Sequence, residues 1–535
     1  MFSLVKIIEY FIIAVALSAF CCLGSFKALA GLQQLGYNGK KYAKWLNKKG
    51  NMLLSRLILL AFLCVLSSAV LAISFSFTGF SALISLIPYP LFFGLYFYAD
   101  KRALKVNLKA TARLKLIYLI EYISFIIISG AITVAVNAVA YFANIQLIEN
   151  FRYLPLAILP LLIPIIVRFS NAVVAVYSNS KNKKYINSAK EKLENSSAVC
   201  IGITGSFGKT SVKNILSAML SKKYKTLATP FSYNTPLGIS KFVNQSDLQG
   251  VEFFIAEMGA RNLGDIQELC SLCKPEHAII TGVCAQHLET FLNLENVKKA
   301  KSELLLGVNE GGIAILGESA KDLKIENKGL RYMLFGDEIK AENVQSDCNG
   351  LKFDLIINDK KISLCCKLLG EQNAYNIVIA AALAYKLGIG ESDIISAVEQ
   401  LDFTPHRLQK IEANGVTILD DSYNSNIQGA NSAIDTLLKF GGKKFAVTPG
   451  LVELGILEES ANFALGEKLA LVDRVILVGS TLIEPVKKGY LSANGNVENL
   501  TIVPTLKKAQ ELLAKELTKG DTVLFLNDLP DVYDN

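Results

Sequence analysis

The residues with the clearest chemical use lie in Thr204-Gly-Ser-Phe-Gly-Lys-Thr-Ser211, which follows the short β-branched run Ala198–Ile203 and precedes apolar residues at helical spacing from Val212 to Leu220. A strand, a glycine-bearing loop and a helix in that order place backbone N–H groups and a helix N-terminus around an anion. Thr204, Gly205, Ser206, Gly208, Lys209, Thr210 and Ser211 are therefore candidate nucleotide contacts, with Lys209 reaching the outer phosphates and Thr210 holding Mg²⁺. The spacing departs from G-x-x-x-x-G-K-[ST], since Ile203 stands where the first glycine belongs and Gly202 lies one place early. Two more runs, Phe253–Gly259 with Glu257 near its end and Ala278–His287, bring a ligand-type side chain to the end of an apolar strand. Taken singly, Glu257 and His287 read more readily as structural residues; with Thr210 they form a set able to bind one or two Mg²⁺.

The elements that must position these groups occupy only part of the chain. At 535 residues the protein is too long for one domain, and 51% hydrophobic residues with a mean hydropathy of +0.36 is too apolar for an ordinary soluble enzyme. Residues 1–195 hold 21 basic and 6 acidic side chains, leaving 34 and 41 for residues 196–535, so the positive charge belongs to the front third. A basic excess confined to loops of an apolar region reads as membrane orientation and excludes a nucleic-acid-binding surface as its purpose. The scattered cysteines suit reduced thiols rather than a disulfide scaffold.

Uncharged apolar stretches predict about five spans: Tyr10–Phe26, two within Leu57–Ala99 with a turn at Thr78-Gly79, Tyr122–Ile148, and a short proline-bearing segment, Tyr153–Val167. Basic clusters follow the first, third and fifth, which places the N-terminus outside and the remainder of the chain on the cytoplasmic side of the membrane. Glu9 and Glu121 are expected at span ends as solvated or snorkelling carboxylates. A linker is expected at Ser178–Ser197. The fold class is thus an α-helical membrane region (1–180) followed by α/β domains at 195–405 and 406–535, hinged at Pro405-His406-Arg407. Lys444–Val447, Val475–Val478, Leu500–Val503 and Thr522–Leu526 read as strands of the last domain. Cys270 and Cys273 fall in a helical stretch without a second CxxC, which favours a packed helix face over zinc.

In order along the chain, Thr204–Thr210, Glu257-Met-Gly-Ala-Arg261, His287-Leu-Glu289, Ala300-Lys-Ser-Glu303, Gly370–Asn376 and Asp420-Asp-Ser-Tyr-Asn-Ser-Asn426 resemble motifs of the Mur ligase family, ATP-dependent amide-bond ligases of peptidoglycan precursor synthesis. The Glu257 and Asp420 segments resemble its MurF branch, which adds D-alanyl-D-alanine to a UDP-N-acetylmuramoyl tripeptide. The resemblance implies a P-loop central ATP-binding domain and a Rossmann-like C-terminal domain. It implies catalysis resting on Lys209, His287 and Lys301, with Thr210 and Glu257 on one Mg²⁺ and His287 on a second. Lys301 would be carbamylated, its added carboxylate helping to place that second metal. Asn373 and Asn376 would lie at the adenine, Arg407 at the phosphates and Asp421 at the ribose or phosphate edge.

The implied chemistry is transfer of the γ-phosphoryl of ATP to a carboxylate, followed by attack of an amine on the acyl phosphate. The implied partners are a UDP-linked or lipid-linked muropeptide, an amino acid or dipeptide, the bilayer, and cell-wall synthesis enzymes. Gln372 replaces the usual His, Ile427 follows Asn426 in place of Pro, and Val447–Gly455 and Phe525–Tyr533 depart from the segments that face the incoming amine in the family. The domain that binds the UDP-sugar is replaced by the apolar region, which points to a carboxylate substrate delivered at the bilayer. An amide ligase acting on another acceptor, such as a poly-glutamate-type polymer, and an inactive membrane scaffold are the competing readings.

Overall fold

The structure, a computed structural model of the chain, describes residues 4–47, 54–78, 80–99, 108–143, 146–286, 288–423, 426–479 and 482–526. It divides into two units, Met1–Lys181 and Asn182–Asp534.

In the second unit, β1 (Val199–Thr204), β2 (Thr226–Ala228), β3 (Phe253–Glu257), β4 (His277–Ile280), β5 (Ile313–Leu316) and β6 (Arg331–Leu334) form a parallel sheet in the order β2-β3-β1-β4-β5-β6. Its strands read as continuous apolar runs because both faces are covered. Alternate side chains divide between two cores: Ile201, Ile203, Ile255 and Ile279 pack under helices Lys209–Leu220 and Gln372–Lys386, while Cys200, Phe254, Ala256, Ala278 and Ile280 meet helices Asp265–Cys273 and Leu294–Gly307. Cys270 and Cys273 are both buried in the latter core. The chain leaves β1 toward β2 on one side and later returns to β4 on the other, so the carboxyl end of β1 lies at a topological switch point, where open α/β sheets bind ligands.

Strands β7 (Ile339–Asp347), β8 (Gly350–Ile357) and β9 (Lys360–Cys366) form a separate antiparallel sheet. A third sheet holds β10 (Gln409–Ala413), β11 (Val416–Asp421), β12 (Lys444–Thr448), β13 (Arg474–Val478), β14 (Leu500–Val503) and β15 (Thr522–Leu526), in the order β10-β11-β15-β12-β13-β14. Only the β10–β11 pair is antiparallel.

The first unit is helical. Among the described residues, three helical segments are long and apolar enough to cross a membrane: Leu4–Gly24, Ala112–Ala143 and Leu154–Glu194, the last running on past residue 181; two apolar helices, Ile58–Ser74 and Ser81–Leu95, are shorter. Two expectations need correction here. The fifth segment opens as a 3-10 turn, Leu154–Leu162, and continues as helix Ile163–Glu194 through the expected linker. That stretch holds no proline or glycine, and it buries Ala189 and Leu193 in the core of the second unit. Glu121 is not solvated: it is fully buried, and neither oxygen has a hydrogen-bond partner among the described residues. Glu9 accepts from Arg152 (2.8 Å) and from the Tyr153 hydroxyl (2.5 Å). Gly79 of the expected turn and Lys101, Arg102 and Lys105 of the second basic cluster lie outside the described residues.

Helix Ala112–Ala143 shows the polarity of this unit. Its buried side carries Glu121, Phe125, Ser129, Thr133 and Asn137 at intervals of four, while Ile123, Ile127, Val134 and Val139 face outward. That arrangement reverses the pattern of a helix on a water-soluble core.

Candidate active site

Three strand ends converge where the chemistry-bearing residues lie. Registers Ile203↔Glu257 and Thr204↔Ile280 bring the ends of β1, β3 and β4 together. The loop after β1 is stitched to its neighbours: the Thr204 hydroxyl donates to Met258 O (2.8 Å), the Ser206 amide to Gly282 O (2.8 Å) and the Thr281 amide to Thr204 O (2.9 Å). Two glycines make this path possible. Gly205 has φ +150° and a Cβ there would meet the Thr281 hydroxyl at 2.0 Å; Gly208 has φ +71° and a Cβ would lie 2.5 Å from Asn376 Oδ1. Gly208 caps helix Lys209–Leu220 without a side-chain hydrogen bond, leaving the first-turn amides to an incoming anion. Lys209 folds back over the loop, its ammonium donating to Gly205 O at 2.7 Å. Burial pushes that amine below its ordinary range, against the opposing pull of Glu257.

Glu257 is almost fully buried and saturated with donors. The Thr210 hydroxyl donates to Oε2 at 2.9 Å, Lys213 Nζ lies 3.2 Å from the same oxygen, and Asn234 Nδ2 donates to Oε1 at 3.1 Å. Thr210 and Glu257 thus put two hard oxygens beside the phosphate loop. This donor set fits Mg²⁺, which takes one or two protein oxygens and fills the rest of its shell from phosphates and water. Among the described residues no cluster of three or more His, Cys, Asp or Glu side chains forms a cage of its own.

The loop opens on a cavity of about 440 Å³. One wall is Ser206, Gly208, Lys209, Thr210 and Ser211; another is Asn373, Tyr375 and Asn376 of helix Gln372–Lys386; the third is Arg407, Asp421 and Gly429, from the residues after 405. Asn376 Nδ2 donates to Asn373 Oδ1 (3.2 Å), and Asn373 Nδ2 to Leu369 O (2.8 Å). The Arg407 guanidinium donates to Tyr423 O (2.6 Å) and lies 4.6 Å from the centre of that ring. Burial holds Arg407 below its ordinary range, with Asp421 opposing. Burial likewise pushes the Asp421 carboxyl up to about 7, although Arg407 and a hydrogen bond from the Leu408 amide (3.0 Å) favour its charged form.

Lys301 sits inward on helix Leu294–Gly307, 3% exposed. Burial first, then repulsion from Lys209, brings its amine down to about 7. His287 and the side chain of Glu289 lie outside the described residues, and so do Asn424 and Ser425.

Several residues of the site escape sequence reasoning. Lys213 and Asn234 complete the surroundings of Glu257. Tyr375 ties its cavity wall to the loops after β4 and β5 by donating to Thr281 O (2.7 Å) and accepting from the Glu318 amide (2.9 Å). Lys213 leaves one trace: a lysine on the helical face shared by Val212 and Leu216, where a charge needs a partner. Gln372, which stands where the resemblance expects His, accepts a hydrogen bond from Ser432 across the cleft.

A glycine-bearing loop at a switch point, facing an arginine and a carboxylate across a cleft, defines a nucleotide-dependent α/β protein whose site is built from two domains. The chain belongs to the Mur ligase family: residues 203–384 match the Mur ligase middle domain and residues 406–527 the Mur ligase glutamate ligase domain. It is 32% identical over 290 residues to the UDP-N-acetylmuramoyl-tripeptide–D-alanyl-D-alanine ligase of Escherichia coli (strain K12), covering 52% of this chain and 64% of that one, just under two thirds of the relative's length. It is 30% identical to the ligase of the same name from Buchnera aphidicola subsp. Acyrthosiphon pisum, covering 59% of this chain and 73% of that one. Among solved structures, MurF ligase from Thermotoga maritima in complex with ADP superposes with a TM-score of 0.57 at 28% identity, over 66% of this chain and 81% of that one.

Proposed function

We propose that this chain is a membrane-anchored, ATP-dependent amide ligase that adds D-alanyl-D-alanine to a UDP-N-acetylmuramoyl tripeptide or its lipid-linked equivalent. The observation that carries the reading is the phosphate loop of the middle domain facing Arg407 and Asp421 across one cavity, within the two regions matched to the family.

In this reading Thr204–Gly208 and the first-turn amides hold the β- and γ-phosphates, and Lys209 neutralises charge building on the transferred phosphoryl. Thr210 and Glu257 hold Mg²⁺, which when bound offsets charge on the phosphate oxygens; His287 is assigned to a second ion. Asn373 and Asn376 border the base, Asp421 the ribose or phosphate edge. Arg407 and the Rossmann-like C-terminal domain close over the nucleotide and exclude water. The acceptor carboxylate takes the γ-phosphoryl, and the amine then displaces phosphate, so no serine or cysteine nucleophile is needed.

Carbamylation of Lys301 belongs to the same reading. An amine with a pKa near 7 is largely neutral at pH 8 and able to add CO₂, forming a carbamate and releasing a proton. Protein equilibrated with ¹³C-bicarbonate at pH 8 is expected to show a carbamate carbon resonance that is missing in Lys301→Arg; an unchanged spectrum in the variant counts against it.

The apolar helices are assigned to the cytoplasmic membrane of a bacterium, with the ligase domains on the cytoplasmic side. Support comes from the inverted polarity of helix Ala112–Ala143, whose apolar side faces out and whose polar side faces in. Cell-wall synthesis enzymes are the expected protein partners, with no role for nucleic acid. A second reading, the same chemistry on a different acceptor, is favoured by one observation: the family match begins at residue 203, leaving the apolar region where a sugar-binding domain would precede it.

The deciding experiment offers Mg·ATP, UDP-N-acetylmuramoyl tripeptide and D-alanyl-D-alanine to the full chain extracted from membranes, with product mass as readout. A pentapeptide product is expected, from the membrane fraction and not the soluble one. ATP binding without product from the UDP-linked substrate, but with product from lipid-linked muropeptide, selects the lipid-linked form; no product from either overturns the assigned acceptor.

A further inference from the structure

The segment 229–234 wraps around one carboxylate. The Thr229 hydroxyl accepts from the Glu257 amide (3.2 Å), Asn234 Nδ2 donates to Glu257 Oε1 (3.1 Å), and Lys213 Nζ joins Glu257 Oε2 to the Phe231 carbonyl. Phe231 has φ +46°, in the left-handed region, and its side chain is exposed, so no packing of the ring explains the conformation. Such a backbone persists only where its surroundings over-determine it. Here the constraint is the buried Lys213 ammonium on its carbonyl.

At the apex of this loop the Ser232 hydroxyl accepts from the Tyr423 hydroxyl at 2.8 Å. Tyr423 in turn holds Arg407, through its carbonyl at 2.6 Å and its ring at 4.6 Å. Glu257, Lys213, Phe231, Ser232, Tyr423 and Arg407 therefore form one continuous series from the end of β3 to the opposite wall of the cavity.

We infer that Lys213 is a positioning residue, which by clamping the 229–234 loop onto Glu257 sets where Tyr423, and with it Arg407, stands over the phosphate loop. Its side chain is 1% exposed and lies outside the cavity lining, so it acts through its neighbours and not on a ligand. A compact ammonium with three donors can bridge two acceptors at once, and here it engages both the carboxylate and the strained carbonyl. The consequence is a link between the two ends of the site. Whatever draws Glu257 toward a metal also pulls on the loop that holds the arginine.

The test is hydrogen exchange on the full chain in detergent, without nucleotide, read at residues 229–235 and 406–423. The second segment includes the Tyr423 amide, bonded to His406 O at 3.3 Å, and the Leu408 amide, bonded to Asp421 at 3.0 Å. Lys213→Met is expected to speed exchange about tenfold or more in both segments while β1 stays protected. Tyr423→Phe, which removes one exposed hydroxyl, is expected to speed the second segment alone. Exchange rising at 229–235 but unchanged at 406–423 in Lys213→Met overturns the inference.

In turnover, Tyr423→Phe should lower kcat about tenfold at unchanged KM for the amine, and combining it with Lys213→Met should lower kcat no further. Independent, multiplying losses count against the series. Should Lys213→Met fail to fold, Ser232→Ala replaces it: it must match Tyr423→Phe in both readouts and add nothing to it. Only the kcat arm rests on the ligase reading. A chain that exchanges as expected yet turns nothing over overturns that reading and leaves the role of the loop standing.

Discussion

Lys209→Ala is expected to lower Mg·ATP-dependent phosphate release about 10²–10³-fold, the usual cost of removing one preorganised charge from a phosphoryl-transfer site. The fold should not suffer. Among the described residues, the one hydrogen bond from the Lys209 ammonium goes to Gly205 O, in a loop already held by Thr204, Ser206 and Thr281. Burial works against the charged amine, and Arg407 adds repulsion. The unfolding temperature of the variant should therefore equal or exceed that of the parent, as happens when a functional charge is removed from a dry cleft. A fall of several degrees would mean that Lys209 is a structural lysine, and loss of turnover would then say nothing about phosphate.

Glu257→Gln is expected to act on stability as well as turnover. It leaves the Lys213 ammonium 1% exposed and without its carboxylate, and breaking a buried pair from one side costs about 3–5 kcal/mol. Chemical denaturation should register that loss. The pair Glu257→Gln with Lys213→Met removes both charges and should recover most of the stability, while turnover is expected to stay lost because the carboxylate proposed to hold Mg²⁺ is gone. If the double variant is no more stable than the single one, the buried ion pair is not what makes the substitution costly.

The contrast between these two residues shows what a sequence discloses. The strand–loop–helix unit around Gly205 and Gly208 is legible because glycines, a lysine and a threonine stand at fixed steps between an apolar run and a helical one. The strands β12 to β15 are legible because each is a short β-branched run bounded by turn residues. Lys213 is not, because its meaning depends on Glu257 and Phe231, brought to it by folding. The antiparallel sheet β7–β9 also goes unread: its strands alternate exposed and buried residues, but charges are scattered through them and no motif marks the place. Residues 178–194 mislead for another reason. Serine, asparagine and lysine suggest a linker, yet Ala189 and Leu193 supply enough apolar contact to keep the segment helical. Glu121 misleads most, since a carboxylate near the end of an apolar run gives no sign of which way it faces.

The arrangement around Glu257 also bears on the order in which ligands arrive. With Lys213 against it, the carboxylate is already neutralised before anything binds, and the other charges nearest the loop include the cations Lys209 and Arg407. A bare divalent ion entering this corner would meet a carboxylate already paired with Lys213 and, beside it, the cations Lys209 and Arg407, and in a low-dielectric pocket that is unfavourable. The same ion accompanied by a triphosphate arrives with its charge more than balanced. If Thr210 and Glu257 hold the metal as proposed, the resting site is expected to discriminate against free metal and to admit it as the nucleotide complex, with metal and phosphates loaded in a single event rather than in sequence.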